Sequence, residues 1–216
     1  MENKLKAWAF GGGKKPFTQS IVEGLDTVFF GRDNTDYTNP DKFILDNKET
    51  PLPDIVVFNL NCHVNDPEVE KSYTLQEDFE TIQNGTMPVI YFNLRIIQWL
   101  FSKGTNIKIV YLTSMAPYIM DEETDMVLYK ITRSIEHAII RQNNILKKNI
   151  DKQNYIMGLC VGVKSSGVEN FINRLITENQ LEPGIYGISE FKPPHPSEPD
   201  WILFEGDLKY TPVRYF

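Results

Sequence analysis

Cysteine is nearly absent: two residues in 216, Cys62 and Cys160, both inside apolar runs. Two such residues make no disulfide framework. They read as buried free thiols, which suits a reducing cytosol better than secretion. Histidine is almost as scarce. His63, His137 and His195 are scattered, without a cysteine or carboxylate cluster at ligand spacing, so no metal site is expected. His137 reads as a surface or interface residue. Positive charge is in deficit, with 22 Lys and Arg against 29 Asp and Glu and a formal charge of −7. That balance excludes a general nucleic-acid binder, though not a local basic pocket for a phosphate. No run approaches the ~18 apolar residues needed to span a bilayer, and the apolar part of "MENKLKAWAFGGGKK" is too short for a signal-peptide core. "NGT" at Asn84 matches a glycosylation acceptor, but without a secretory signal it carries nothing. Neither repeats nor low-complexity segments occur. With 41% hydrophobic and 24% charged residues, the chain has the composition and length of one well-filled α/β domain, expected to be cytoplasmic with no membrane or nucleic-acid partner.

What is present is an alternation of short apolar runs with longer helical periods. "KAWAFG" (6–11) predicts a strand entering three glycines, "TQSIVEGL" (18–25) a brief helix, "TVFFG" (27–31) a second strand and "KFILDN" (42–47) a third. "DIVVFNLN" (54–61) is an unbroken β-branched and aromatic run, as a strand buried on both faces requires. Helical spacing of Phe79, Ile82, Val89, Ile90, Leu94, Ile97 and Leu100 marks residues 76–102. "KIVYLTS" (108–114) is the next strand. A helix over roughly 124–148 follows, with Leu128, Ile131, Ile135, Ala138, Ile139 and Ile145 as its apolar stripe. Then come the strand 155–163, the helix 168–179 and the strand 184–189. This order predicts parallel βαβ units: a Rossmann-like, doubly wound, mostly parallel sheet flanked by helices on both faces over 1–189. The proline- and aromatic-rich tail, 190–216, breaks the rhythm and is expected to pack on the domain or on a partner subunit.

In such sheets ligands bind outside the carboxyl ends of the strands, so polar residues there carry the functional expectation. Gly11, Gly12 and Gly13, followed by Lys14 and Lys15, end the first strand; glycines let a backbone approach a pyrophosphate. "GGGKKPFT" lacks the spacing of a P-loop. Arg32, after the second strand, suits a ribose 2′-phosphate, and Asp46, after the expected third, could accept from an adenine amine. Asn59 and Asn61 end the fourth strand, Thr113 and Ser114 the fifth.

"DIVVFNLN", "IQNGTMPV", "KIVYLTSMA" and "LYKITRSIEHAI" together, in this order and spacing, resemble the short-chain dehydrogenase/reductase family across residues 5–190. The resemblance implies an NAD(P)-dependent oxidoreductase that moves a hydride to or from a small carbonyl or alcohol substrate. It places that family's Asn, Ser and Tyr at Asn84, Ser114 and Tyr129, and puts Arg133 where the family has lysine; Asn93 is a rival to Asn84. In the family the tyrosine is the acid or base, the serine holds the same oxygen, and the lysine binds the nicotinamide ribose and keeps positive charge near the phenol. A phenol of pKa about 10 needs such help: one cation ~4–5 Å away favours the phenolate by about 3–4 kcal/mol at an effective dielectric of 20. Arginine and lysine are not interchangeable there.

Two further departures qualify the resemblance. Gly12 matches the family's first glycine, but Pro16 and Thr18 stand where the second and third would be. The flap that follows the strand 155–163 in the family is missing, which leaves an open site. Lys15 and Arg32 match positions basic in NADP-preferring members, so NADP(H) is expected over NAD(H). The family's dimer surface implies a homodimer or homotetramer. The competing expectation is a degenerate member, a non-catalytic dinucleotide-binding or interaction scaffold; a third is an unrelated Rossmann-like enzyme.

Overall fold

The computed structural model describes residues 4–11, 16–60, 80, 82–103, 106–114, 127–150, 154–161, 166–178, 180–181, 183–189 and 200–205, with backbone alone at 127–129, 145–150, 189 and 200–205. Along the chain run β1 (Lys6–Phe10), α1 (Pro16–Ile21), β2 (Asp26–Phe30), α2 (Pro40–Asn47), β3 (Ile55–Phe58), a π-helical turn (Ile82–Thr86), α3 (Met87–Ser102), β4 (Lys108–Thr113), α4 (Val127–Ile150), β5 (Tyr155–Val161), α5 (Ser166–Thr177), β6 (Gly184–Ser189) and β7 (Asp200–Glu205). The strands form one sheet in the order β2-β1-β3-β4-β5-β6-β7. β1 to β6 are parallel, and β7, drawn from the tail, pairs antiparallel with β6.

The expected third strand is a helix. Asn39 accepts from the Lys42 amide through its side chain, Pro40 takes the first helical position and Asp41 lies in the first turn, the capping chemistry that starts a helix. Phe43 then packs on Trp8 and Phe10. Among the described residues β2 is the edge of the sheet, and its alternating exposure agrees.

Each sheet face carries its own core. On one, Trp8, Phe10, Phe30, Phe58, Ile109 and Tyr111 of the strands meet Phe43, Phe92, Ile96, Leu100 and Ile140 of α2, α3 and α4. Aromatic rings interlock there: Phe10 stacks on Phe58 at 4.8 Å and on Phe30 at 4.9 Å. On the other, Val57, Val110, Met157 and Leu159 meet Phe17 and Ile21 of α1 and Phe171, Ile172 and Leu175 of α5. Asn173 of α5 donates to the carbonyls of Ser20, Ile21 and Glu23, closing the open end of α1.

Two features of the long helices depart from the sequence pattern. Pro88 has no amide to give to the carbonyl of Asn84, and its ring crowds it; the helix opens there into the π turn that precedes α3. In α4 the described part of the apolar stripe faces out. Ile131 and Ala138 are exposed and Ile135 and Ile139 half-buried, whereas Thr132, Arg133, Glu136, His137, Ile140 and Asn143 are buried. Ile140 reaches close to β5, where a Cβ on Gly158 would lie 3.0 Å from its Cδ1.

Candidate functional site

Strand order reverses at β1, with β2 on one side and β3 on the other, so the crevice at the carboxyl ends opens between β1 and β3. Gly11 forms its wall at φ +75°. A Cβ there would fall 2.5 Å from the carbonyl oxygen of Asn59, a passage only glycine allows. The Gly11 amide donates to Phe30 O at 2.9 Å, and the Asn59 amide to Phe10 O at 2.8 Å. Thr18, where the family has glycine, is fully buried and is used rather than merely tolerated. It donates to Gly11 O at 3.3 Å and accepts from Asn59 Nδ2 at 2.7 Å. The Asn59 side chain thus binds α1 to β3. Gly12, Gly13 and Lys15 lie outside the described residues.

Arg32 occupies the turn after β2, closed by the Asn34 amide donating to Gly31 O at 3.1 Å. Asn34 also accepts from the Gly31 amide at 2.7 Å and donates to Phe29 O at 3.0 Å. Arg32 is exposed, and none of the ion pairs among the described residues, Lys42–Asp46, Arg95–Asp41 and Arg133–Glu136, involves it. Tyr37 roofs this corner: its hydroxyl donates to Phe30 O at 2.6 Å, and its ring meets Phe92 edge-on at 5.0 Å. Burial pushes the phenol up to about 12, against the Gly11 amide and the Arg32 charge, which favour ionisation. Asp46 does not follow a strand. It sits near the end of α2, exposed and paired with Lys42 at 2.5 Å.

At the end of β4 a buried polar chain crosses to α4. Arg133 Nη1 donates to both carboxylate oxygens of Glu136 at 2.8 Å; the two side chains are 2% and 0% exposed. Glu136 Oε2 also accepts from Thr113 Oγ1 at 2.8 Å. The Thr113 oxygen also lies 3.2 Å from His137 Nε2. Cys160 Sγ of β5 is 3.6 Å from the same nitrogen. His137 is buried, not a surface residue, because this face of α4 holds the polar side chains. Arg133 stands at the position the resemblance assigns, and its charge is met by a carboxylate one turn away.

Ser114 is half-buried directly after β4. Asn84 is exposed in the π turn, against which α4 packs. Tyr129 lies in the first turn of α4, and its side chain is outside the described residues. Asn93 points into the interior, donating to the Tyr111 hydroxyl at 2.8 Å, with no hydrogen-bond partner for Oδ1 among the described residues. Elements carrying Asn84, Ser114, Tyr129 and Arg133 thus converge on one side of the carboxyl edge, and Gly11, Arg32 and Asn59 on the other. Sequence reading missed Glu136 and Tyr37; only Glu136, three residues after Arg133, left a signal, as an i,i+3 ion-pair spacing.

No family model and no curated protein matches the chain. Solved structures do. A short-chain dehydrogenase/reductase variant from Serratia marcescens superposes with TM-score 0.61 at 12% identity, covering 85% of this chain and 95% of that one. A short-chain dehydrogenase from Leptospira borgpetersenii, solved with NAD+, gives 0.54 at 15%, covering 82% and 81%. BdcA, solved with NADPH, gives 0.50 at 14%, covering 73% and 70%. The chain has the fold of the short-chain dehydrogenases/reductases, at great sequence distance from each of these.

Proposed function

We propose that this protein is a nicotinamide-dinucleotide-dependent oxidoreductase of the short-chain dehydrogenase/reductase type, using NADP(H) in preference to NAD(H) on a small carbonyl or alcohol. One observation carries the reading: Gly11, at positive φ against Asn59, and the exposed Arg32 follow the carboxyl ends of β1 and β2, beside the point where strand order reverses. That pairing fits a dinucleotide's adenosine half, with close backbone approach at the glycine and a cation for a 2′-phosphate. When bound, the cofactor supplies or accepts the hydride. Gly11 and Arg32 would hold it; Asn84, on the opened turn, would hold water on the proton path; Ser114 would hold the substrate oxygen; and Tyr129 would give or take its proton.

A second reading follows from the buried Arg133–Glu136 pair. A cation cancelled by a carboxylate at 2.8 Å does little to favour a phenolate nearby, so the chain could bind dinucleotide without catalysing. Titration with NADPH and NADH, followed by nicotinamide fluorescence, tests the first step. Micromolar NADPH binding weakened by Arg32→Ala is expected; binding of neither cofactor would refute both dinucleotide readings. Turnover of a carbonyl panel that is lost in Tyr129→Phe would exclude the second reading, and binding without turnover would establish it.

A further inference from the structure

Gly11 is tied to three elements besides the strand it ends. Its amide donates to Phe30 O of β2 at 2.9 Å. Its carbonyl accepts from the Thr18 hydroxyl of α1 at 3.3 Å. Its α-carbon lies against the end of β3, where a Cβ would fall 2.5 Å from Asn59 O and 2.9 Å from Leu60 Cδ2. The Asn59 side chain closes the circuit by donating to Thr18 Oγ1 at 2.7 Å. Thr18 is fully buried and Asn59 almost so, and a buried hydroxyl that both donates and accepts is satisfied without water. A glycine at this place in a nucleotide-binding turn lets helix and strand pack closely. Thr18 instead sets a branched side chain there and replaces close packing by two hydrogen bonds. The positive φ of Gly11 is thereby held by α1 and β3 together.

We propose that Thr18 and Asn59 are positioning residues for the dinucleotide. Their bridge keeps Gly11 in the conformation that opens the crevice, so that the turn is ordered before the cofactor arrives. A turn free to leave that shape binds only in the fraction of molecules that hold it, and apparent affinity falls by that fraction. This role deepens the dinucleotide reading and rests on it.

NADPH and NADH are titrated by nicotinamide fluorescence against the wild type and variants of the bridge, with a melting curve for each. Thr18→Ser keeps the hydroxyl and should bind within about twofold of wild type. Thr18→Val keeps the shape and loses the hydroxyl, and Asn59→Leu loses the donor; each should weaken both dinucleotides by about tenfold. The double variant should be little weaker than either single one, because both break the same bridge. Ile21→Val, which trims a buried side chain of the same helix outside the bridge, should lower the melting temperature and leave affinity unchanged. Thr18→Gly should bind as weakly as Thr18→Val; wild-type affinity there would show that packing sets the turn, and would overturn the proposal. Unchanged NADPH affinity in Thr18→Val, or in Asn59→Leu where Thr18→Val does not fold, would reduce the bridge to a structural role while NADPH binding stands. Losses that add in full in the double variant would also overturn it. A wild-type protein that binds neither nucleotide would overturn the dinucleotide reading itself, and this one with it.

Discussion

Tyr37 and the Arg133–Glu136 pair make opposite demands on solvent at the level of single residues. The Tyr37 phenol is pushed up to about 12 by burial, whereas an unfolded chain's phenol titrates near 10. A raised folded value means the stabilisation is complete below about pH 10 and is lost as pH rises through about 12. Urea unfolding between pH 8 and 12 should show Tyr37→Phe weaker than wild type at pH 8 and the gap between them closing above pH 10. Arg133 and Glu136 behave differently, because each neutralises the other inside the protein. Glu136→Gln removes the carboxylate that Arg133 Nη1 bonds inside the protein and should cost about 3–5 kcal/mol. The apolar double variant Arg133→Met/Glu136→Leu should recover most of that loss, read by the same denaturant curves. A pair that instead contributes to catalysis would show a loss of turnover in the double variant out of proportion to its stability. Neither residue's surroundings could be read from the chain. The i,i+3 spacing of Arg133 and Glu136 suits an exposed helix surface as well as a buried one, and only the neighbouring Thr113 and His137 distinguish the two.

Element by element, the strands were legible because a parallel strand buried on both faces must be nearly continuously apolar, as "IVVF", the "IVYL" of β4 and "YIMGLCV" are. The helix α2 was not. "KFILDN" is as apolar as a short strand, and its helical start is written in the preceding Asn39, Pro40 and Asp41 rather than in its own pattern. Asn39→Ala should therefore cost about 1 kcal/mol, lowering the melting temperature without changing the sheet. In α4 periodicity was read correctly and the face wrongly, since hydrophobic spacing cannot say whether its partner is the sheet or another surface. The π turn ends where Pro88 enters the first turn of α3. Pro88→Ala supplies the missing amide to the Asn84 carbonyl and should convert Ile82–Thr86 to regular helix. Thermal stability should rise, and dinucleotide turnover should fall if that carbonyl takes part in the proton path. An unchanged turnover would place the opened turn outside the chemistry.

Across the whole molecule the polar and apolar faces of α4 are inverted relative to an isolated domain, and this bears on assembly. A helix normally buries its apolar stripe; here the sheet receives Thr132, Arg133, Glu136 and His137 while Ile131 and Ala138 are left exposed. On α3, Met87 and Tyr91, one turn apart, are exposed as well. Single exposed apolar residues are ordinary, but rows of them on two helices packed on the same sheet face suggest a partner surface. The buried ion pair makes the inversion costly, since an apolar α4 face against the sheet would avoid desolvating two charges; what offsets it must lie on the outer face or in the site. A homodimer through α3 and α4 would supply the outer term. Light scattering coupled to size exclusion should then report at least a dimer. Ile131→Glu together with Tyr91→Glu should reduce it to monomer, with NADPH affinity changed by less than about threefold, because neither residue lies in the carboxyl-end crevice. A wild-type monomer would leave the outer stripe without a partner of its own kind and turn the explanation for α4 wholly to the polar chain from Arg133 to Cys160.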